Sequence, residues 1–189
     1  MSKILFINAC VRPESRTYDL AQTVLSALEG DVEEVKLIES ELPNLTNELI
    51  QLRDKIMSTG NIEHPMLRYA RRFAEADTLV IAAPYWDLIF PATVRAYFEQ
   101  ICVTGLTFRY SPEGFPISLC MAKRMIYVTT AGGPIFEGFN FGYDYCKALC
   151  EGYFGIKDSL CVKAENLDVW GADVGAIMAE AKEKALKAV

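Results

Sequence analysis

The chain switches repeatedly between two hydrophobic periods. Lys3 to Asn8 is a nearly unbroken apolar run with polar ends, the pattern of a strand buried on both faces. From Ser15 to Leu28 the period lengthens. Leu20, Val24, Leu25 and Leu28 share one helical face, Ser15 is a natural amino-terminal cap, and Gly30 stops the helix. Val32 to Ile38 alternates apolar and charged residues, as an edge or near-edge strand does. Pro43 to Gly60 reads as a polar helical excursion, and Pro65 to Ala76 as a helix leading into a strand over Thr78–Ala83. Thr93 to Val103 is again helical. Leu106–Tyr110 and Ile117–Cys120 flank the turn Ser111-Pro112-Glu113-Gly114, which predicts a short β excursion. Arg124–Thr130 and Ser159–Ala164 are the remaining strands; Asn140–Phe154 and Ala172–Ala188 are the remaining helices.

Strands alternating with helices imply a parallel sheet with right-handed crossovers. With 189 residues and 51% hydrophobic content, the chain fits one α/β domain spanning 1–189 with a sizeable core. Five such strands fit a flavodoxin-like three-layer sandwich around a five-stranded parallel sheet of order 2-1-3-4-5. Other three-layer sheets of similar size share the pattern. The formal charge of −6, with no basic run, argues against nucleic acid and against an anionic membrane surface as partner. No apolar run reaches the length of a membrane span, and the amino terminus passes straight into a strand rather than a signal segment. Six cysteines lie mostly within apolar elements, which predicts free thiols in a reducing cytoplasm. Cys146 and Cys150 share a helical face. A metal pair there would lack further ligands, because the only histidine, His64, is remote and precedes Pro65 in a polar connection; packing explains the pair, and no metal is expected.

Three strand-end loops carry the candidate chemistry. Pro84-Tyr85-Trp86-Asp87 puts two aromatics and a carboxylate at the carboxyl end of a strand, where open α/β sheets bind ligands. Such a turn suits a planar heteroaromatic ring, although aromatics there also serve simply to cover the sheet edge. The first strand runs into Cys10-Val11-Arg12-Pro13-Glu14-Ser15-Arg16-Thr17. Its hydroxyls and the free N–H groups of the following helix can hold a phosphate, with Arg12 and Arg16 neutralising charge. The same residues also make an ordinary helix cap flanked by two solvated arginines. Thr130-Ala131-Gly132-Gly133 follows another strand; paired glycines allow a backbone to run close against a flat ligand, or mark a turn that needs positive φ. In the order 2-1-3-4-5 these three loops meet on one rim. A phosphate site, an aromatic wall and a close-approach backbone together match FMN.

These motifs resemble the FMN-dependent NAD(P)H oxidoreductases of the azoreductase and quinone-reductase group. The matches are Ser15-Arg16-Thr17, Pro84-Tyr85-Trp86-Asp87, Gly105-Leu106-Thr107-Phe108-Arg109-Tyr110 and Thr130-Ala131-Gly132-Gly133, in family order from Lys3 to about Ala164. The resemblance implies that Ser15, Arg16 and Thr17 hold the FMN phosphate, and that Tyr85, Trp86 and Asp87 line the ribityl chain and one side of the isoalloxazine. Thr130 to Gly133 would follow its other edge. It further implies NADH or NADPH as reductant, quinones, azo compounds or related small aromatic acceptors, ping-pong transfer, and a homodimer. Phe108, Tyr110, Phe136 and Tyr143 are candidates to shape the acceptor pocket, with plain packing as their alternative role. The chain departs from the family pattern at Asp87, where Asn is usual, at Cys10, where a hydroxyl often assists the phosphate, and at Phe115-Pro116-Ile117.

Two rival readings share parts of this pattern. Cys10, five intervening residues and Arg16-Thr17 match the loop of low-molecular-weight tyrosine phosphatases, in which a thiolate attacks phosphorus. Pro13 removes a cradle N–H, the loop lacks glycine, and no Asp-Pro acid occurs later in the chain. The second rival is a flavodoxin-like electron carrier. Against it stand the Pro43–Pro65 and Leu106–Cys120 excursions, which look like pocket or dimer elements.

Overall fold

The computed structural model describes residues 1–189. Its centre is a parallel sheet of β1 (Lys3–Asn8), β2 (Asp31–Lys36), β3 (Thr78–Ala82), β6 (Arg124–Thr130) and β7 (Asp158–Ala164), in the spatial order β2-β1-β3-β6-β7. Counted over the sheet strands alone this is 2-1-3-4-5. The two intervening strands, β4 (Phe108–Tyr110) and β5 (Pro116–Ser118), pair antiparallel in a separate hairpin.

The strict two-residue alternation of strand side chains divides the core. Ile4 and Phe6 of β1, Val80 and Ala82 of β3, and Ile126 and Val128 of β6 face α1 (Arg16–Ser26) and α6 (Val174–Ala188). Their neighbours Leu5, Ile7, Leu79, Ile81, Met125 and Tyr127 face the opposite layer of α3 (Arg68–Glu75), α4 (Ala92–Ile101) and α5 (Phe141–Gly152). The central strands are thus buried on both faces, which is why they read as continuous apolar runs. Helix α2 (Asn47–Ser58) lies in the Pro43–Gly60 excursion and buries only Ile56.

Several boundaries move, each for a local reason. The strand expected over Val32–Ile38 ends at Lys36, and Leu37–Glu39 forms a 3-10 turn. Only Val35 of β2 is buried, because this strand is the sheet's edge. The expected Pro65–Ala76 helix opens as a 3-10 turn over Pro65–Leu67 before α3 begins. Pro65 lacks an N–H, and His64 is a half-buried cap whose Nδ1 accepts the Met66 N–H at 3.2 Å. In the hairpin, Thr107 is fully buried; its Oγ1 donates to the Ile101 carbonyl at 2.7 Å and accepts from the Val103 N–H at 3.2 Å. That pins the exit of α4. All six cysteines are free, Cys146 and Cys150 are buried in the core, and no group of side chains is placed to hold a metal ion. No helix is long and apolar enough to cross a membrane.

Candidate functional site

A cleft of about 330 Å³ opens at the carboxyl ends of β1, β3, β6 and β7. Its lining includes Arg12, Ser15, Arg16 and Thr17 from the first loop, Pro84, Tyr85 and Trp86 from the loop after β3, and Thr130, Ala131 and Gly132 after β6. The convergence expected from the strand order is therefore present.

At one end lies the start of α1. Ser15 is its N-cap, and the hydroxyl accepts the Tyr18 N–H at 3.2 Å while the Ser15 carbonyl takes the Asp19 N–H at 3.0 Å. The N–H groups of Arg16 and Thr17 have no partner in the chain. They are the orphan donors of a helix start, carrying its partial positive charge toward the cleft. Thr17 is buried, and its hydroxyl meets that of Thr130 at 2.6 Å, which ties the helix start to the end of β6.

The aromatic wall is built on a tight reversal. Trp86 N–H donates to Ile89 O at 3.2 Å, and Ile89 N–H returns to Trp86 O at 2.9 Å. Asp87 and Leu88 between them have φ of +50° and +74°, as the two-residue type I′ hairpin requires. Asp tolerates this region through its short polar side chain; leucine does so at the expense of strain. The exposed Asp87 serves the turn and is not among the residues that line the cleft. Leu88→Gly should raise stability by roughly 0.5–1 kcal/mol, the relief of left-handed strain less the added freedom of the unfolded chain. A urea midpoint that stays put or falls would show that leucine is unstrained there. The wall is also tied to its neighbours: Tyr85 N–H donates to Thr130 O at 3.1 Å, and the Tyr85 hydroxyl to Phe139 O at 3.0 Å.

The glycine loop is held from behind. Ala131 N–H donates to Ala164 O at 2.9 Å. The carbonyls of Ala131, Gly132 and Gly133 accept from Leu167, Asp168 and Asn166 at 3.2, 2.8 and 3.2 Å. Glu165 accepts the Ile135 N–H at 2.6 Å. With the carbonyls engaged, the N–H groups of Gly132 and Gly133 are left without partners. Neither glycine has positive φ, so the alternative of a left-handed turn does not apply. A Cβ on Gly132 would lie 2.4 Å from Asp168 Oδ2, whereas one on Gly133 would meet nothing within 4 Å. Gly132 thus lets the Asp168 side chain approach closely, and any larger residue there must displace it.

Other expected residues fall elsewhere. Cys10 is buried in the layer under α1, its N–H donating to Asn8 Oδ1 at 2.9 Å; burial pushes its thiol up to about 11. It is neither a cleft residue nor a thiolate nucleophile at neutral pH, which removes the phosphatase reading. Phe108 is buried edge-on against Tyr153 at 5.0 Å, a core residue of the hairpin rather than a pocket wall. Tyr143 is half-buried on α5 and donates to Ser159 O at 3.0 Å; it too lies outside the cleft lining. Tyr110 is exposed and packs against Phe108, and Phe136 is exposed on the β6–α5 loop; neither lines the cleft.

Four lining residues were not anticipated: Val11, Glu14, Leu167 and Asp168. The last two belong to a fourth loop, after β7. The strand order contained the signal, since β7 neighbours β6 and its carboxyl end reaches the same rim.

A family model described as "flavodoxin-like fold" matches residues 2–189. The FMN-dependent NADH:quinone oxidoreductase 2 of Clostridium acetobutylicum is 38% identical, the alignment covering 98% of this chain and 96% of that protein. The FMN-dependent NADH:quinone oxidoreductase of Clostridium beijerinckii is 35% identical with the same coverage. Among solved structures, an azoreductase from Bacillus anthracis superposes with a TM-score of 0.84 at 26% identity, covering 100% of this chain and 98% of that one.

Proposed function

The chain belongs to the flavodoxin-like FMN-dependent NADH:quinone oxidoreductases, and from that premise we propose that it binds FMN in the four-loop cleft and reduces quinones and azo compounds with NADH. One observation carries the placement. Two pairs of unpartnered backbone donors, Arg16/Thr17 and Gly132/Gly133, belong to loops of the same cleft, which Tyr85 and Trp86 also line. That donor set fits a ligand with an anionic tail and a flat heteroaromatic body.

Bound FMN supplies the hydride chemistry between nicotinamide and acceptor. The protein's own part is to bind and orient. The helix start of α1, with the Ser15 hydroxyl and Arg12, would hold the phosphate. Thr17 and Thr130 keep that end in register with the glycine loop. The unpartnered glycine N–H groups would be available to the ring's heteroatoms, where donors stabilise negative charge that develops on reduction. Tyr85 and Trp86 supply apolar surface that keeps water from one side. No side chain of the cleft is required to move a proton.

Trp86, Phe136, Phe139 and Phe141 remain 41–67% exposed on the rim loops and the start of α5. An apolar rim of this kind favours a second copy of the chain as cover, and a homodimer in the cytoplasm is the assembly we assign. The acidic chain and absence of a basic run support a small-molecule enzyme with no nucleic-acid or membrane partner.

The test is an absorption and sedimentation experiment on one preparation. Purified protein loaded with FMN should be yellow, bleach on anaerobic NADH, and recover its colour with a soluble quinone over many turnovers. It should sediment at about twice the 21.1 kDa chain mass. Protein that refuses FMN at saturating concentration overturns the reading. Flavin that binds but gives no turnover with any nicotinamide supports the electron carrier instead.

A further inference from the structure

The cleft contains a carboxylate where a phosphate site would ordinarily exclude one. Asp168 Oδ1 lies 2.7 Å from Arg16 Nη1, and the same nitrogen reaches Leu167 O at 3.4 Å. Both side chains are substantially exposed, at 44% for Arg16 and 69% for Asp168, so the pair contributes little to folding. The backbone that carries the carboxylate is nevertheless tied to the glycine loop. The Asp168 N–H is fixed to Gly132 O at 2.8 Å, Leu167 N–H to Ala131 O at 3.2 Å, and the carboxylate sits on the bare Cα of Gly132.

Charge counting shows the consequence. The lining contains two arginines, Arg12 and Arg16, and two carboxylates, Glu14 and Asp168, so its ionised side chains balance. A phosphate monoester brings about −1.5 to −2 at neutral pH. Asp168 competes with it for the Arg16 guanidinium and repels it directly, while the backbone donors of Arg16 and Thr17 remain free to attract it.

We propose that Asp168 is a specificity-determining residue that restrains the cleft's affinity for the FMN phosphate, so that FMN is preferred over riboflavin by less than two unopposed arginines would give. This rests on FMN binding in the cleft, as assigned above. Asp168 engages the Arg16 guanidinium that would otherwise be free to meet the phosphate. Much of the flavin's affinity is thereby left to the ring and the glycine loop, and the cofactor stays exchangeable.

The experiment compares flavin-free wild type with Asp168→Asn by fluorescence titration, using FMN and riboflavin as separate probes. Asn keeps the shape and can still accept from Arg16 while removing the charge. FMN should bind about five- to tenfold more tightly to the variant at low salt, and the gain should shrink as ionic strength rises. Riboflavin affinity should not change. Asp168→Ser, which also removes the charge, should show the same FMN-selective gain and guards against a folding defect peculiar to Asn. Unchanged or weaker FMN binding in both variants overturns the proposal, as does riboflavin tightening in the same proportion. Wild-type protein that binds riboflavin and FMN equally well, with Asp168→Asn doing the same, also overturns it while leaving the flavin assignment standing. Failure of wild type to bind either flavin removes the assignment and the proposal together.

Discussion

Valine at position 132 is expected to weaken FMN binding by about ten- to hundredfold, the equivalent of a 1–3 kcal/mol overpacking penalty expressed at the binding loops. An added Cβ lies 2.4 Å from Asp168 Oδ2, 3.1 Å from its Cγ and 3.2 Å from its Cβ. The carboxylate alone could swing aside for one methyl group. Valine's further methyls meet the Asp168 Cβ, which cannot retreat while its N–H holds Gly132 O and Leu167 N–H holds Ala131 O. The β6–α5 and β7–α6 loops must then part, and the free N–H groups of Gly132 and Gly133 lose their aim. Because the damage is to the backbone cradle, riboflavin should weaken along with FMN, the opposite of the phosphate-selective change expected at Asp168. Gly133→Ala is the control: its Cβ meets nothing within 4 Å and its φ is not left-handed, so flavin affinity should be unchanged. Equal losses at the two glycines would refute the close-approach account.

Phe73→Ala is expected to destabilise the protein by about 3–5 kcal/mol, which lowers the thermal midpoint by roughly 10 °C for a chain of this size. Phe73 is fully buried on α3 and meets Phe154, just beyond α5, edge-to-face at 4.7 Å and 61°. It joins the ends of two helices in the layer opposite α1 and α6. Truncation removes the ring's transfer energy and opens a cavity among residues held by β-sheet backbone on one side. Neither Phe73 nor Phe154 lines the cleft, so FMN affinity of the folded protein should stay within error of wild type. A loss below about 1.5 kcal/mol would mean that the layer collapses into the space, against the close packing expected of such a core.

The sequence alone determined the layers and the central strands, and it fitted the order 2-1-3-4-5 that the structure then established. Buried parallel strands must be apolar on both faces, and their crossovers must be helical, so β1, β3 and β6 announce themselves by continuous apolar runs. Arg124–Thr130 matches its strand to the residue, and the convergence of the first, third and fourth sheet-strand loops follows from topology. Ser15 was legible as a cap because only a few side chains can accept from an exposed helix start.

What the sequence left open was decided by contacts between residues far apart along the chain. Cys10 and Phe108 sit in motifs, but which way a side chain turns depends on the packed layer beneath it, and both turn inward. Nothing local marked the turn at Asp87, where the paired bonds of Trp86 and Ile89 define a hairpin that demands positive φ. Asp168 lies 152 residues from Arg16 and carries no local pattern. Local periodicity records what each segment buries. It holds no record of which polar group a distant loop brings within 3 Å, and that proximity sets the charge and the donors of the cleft.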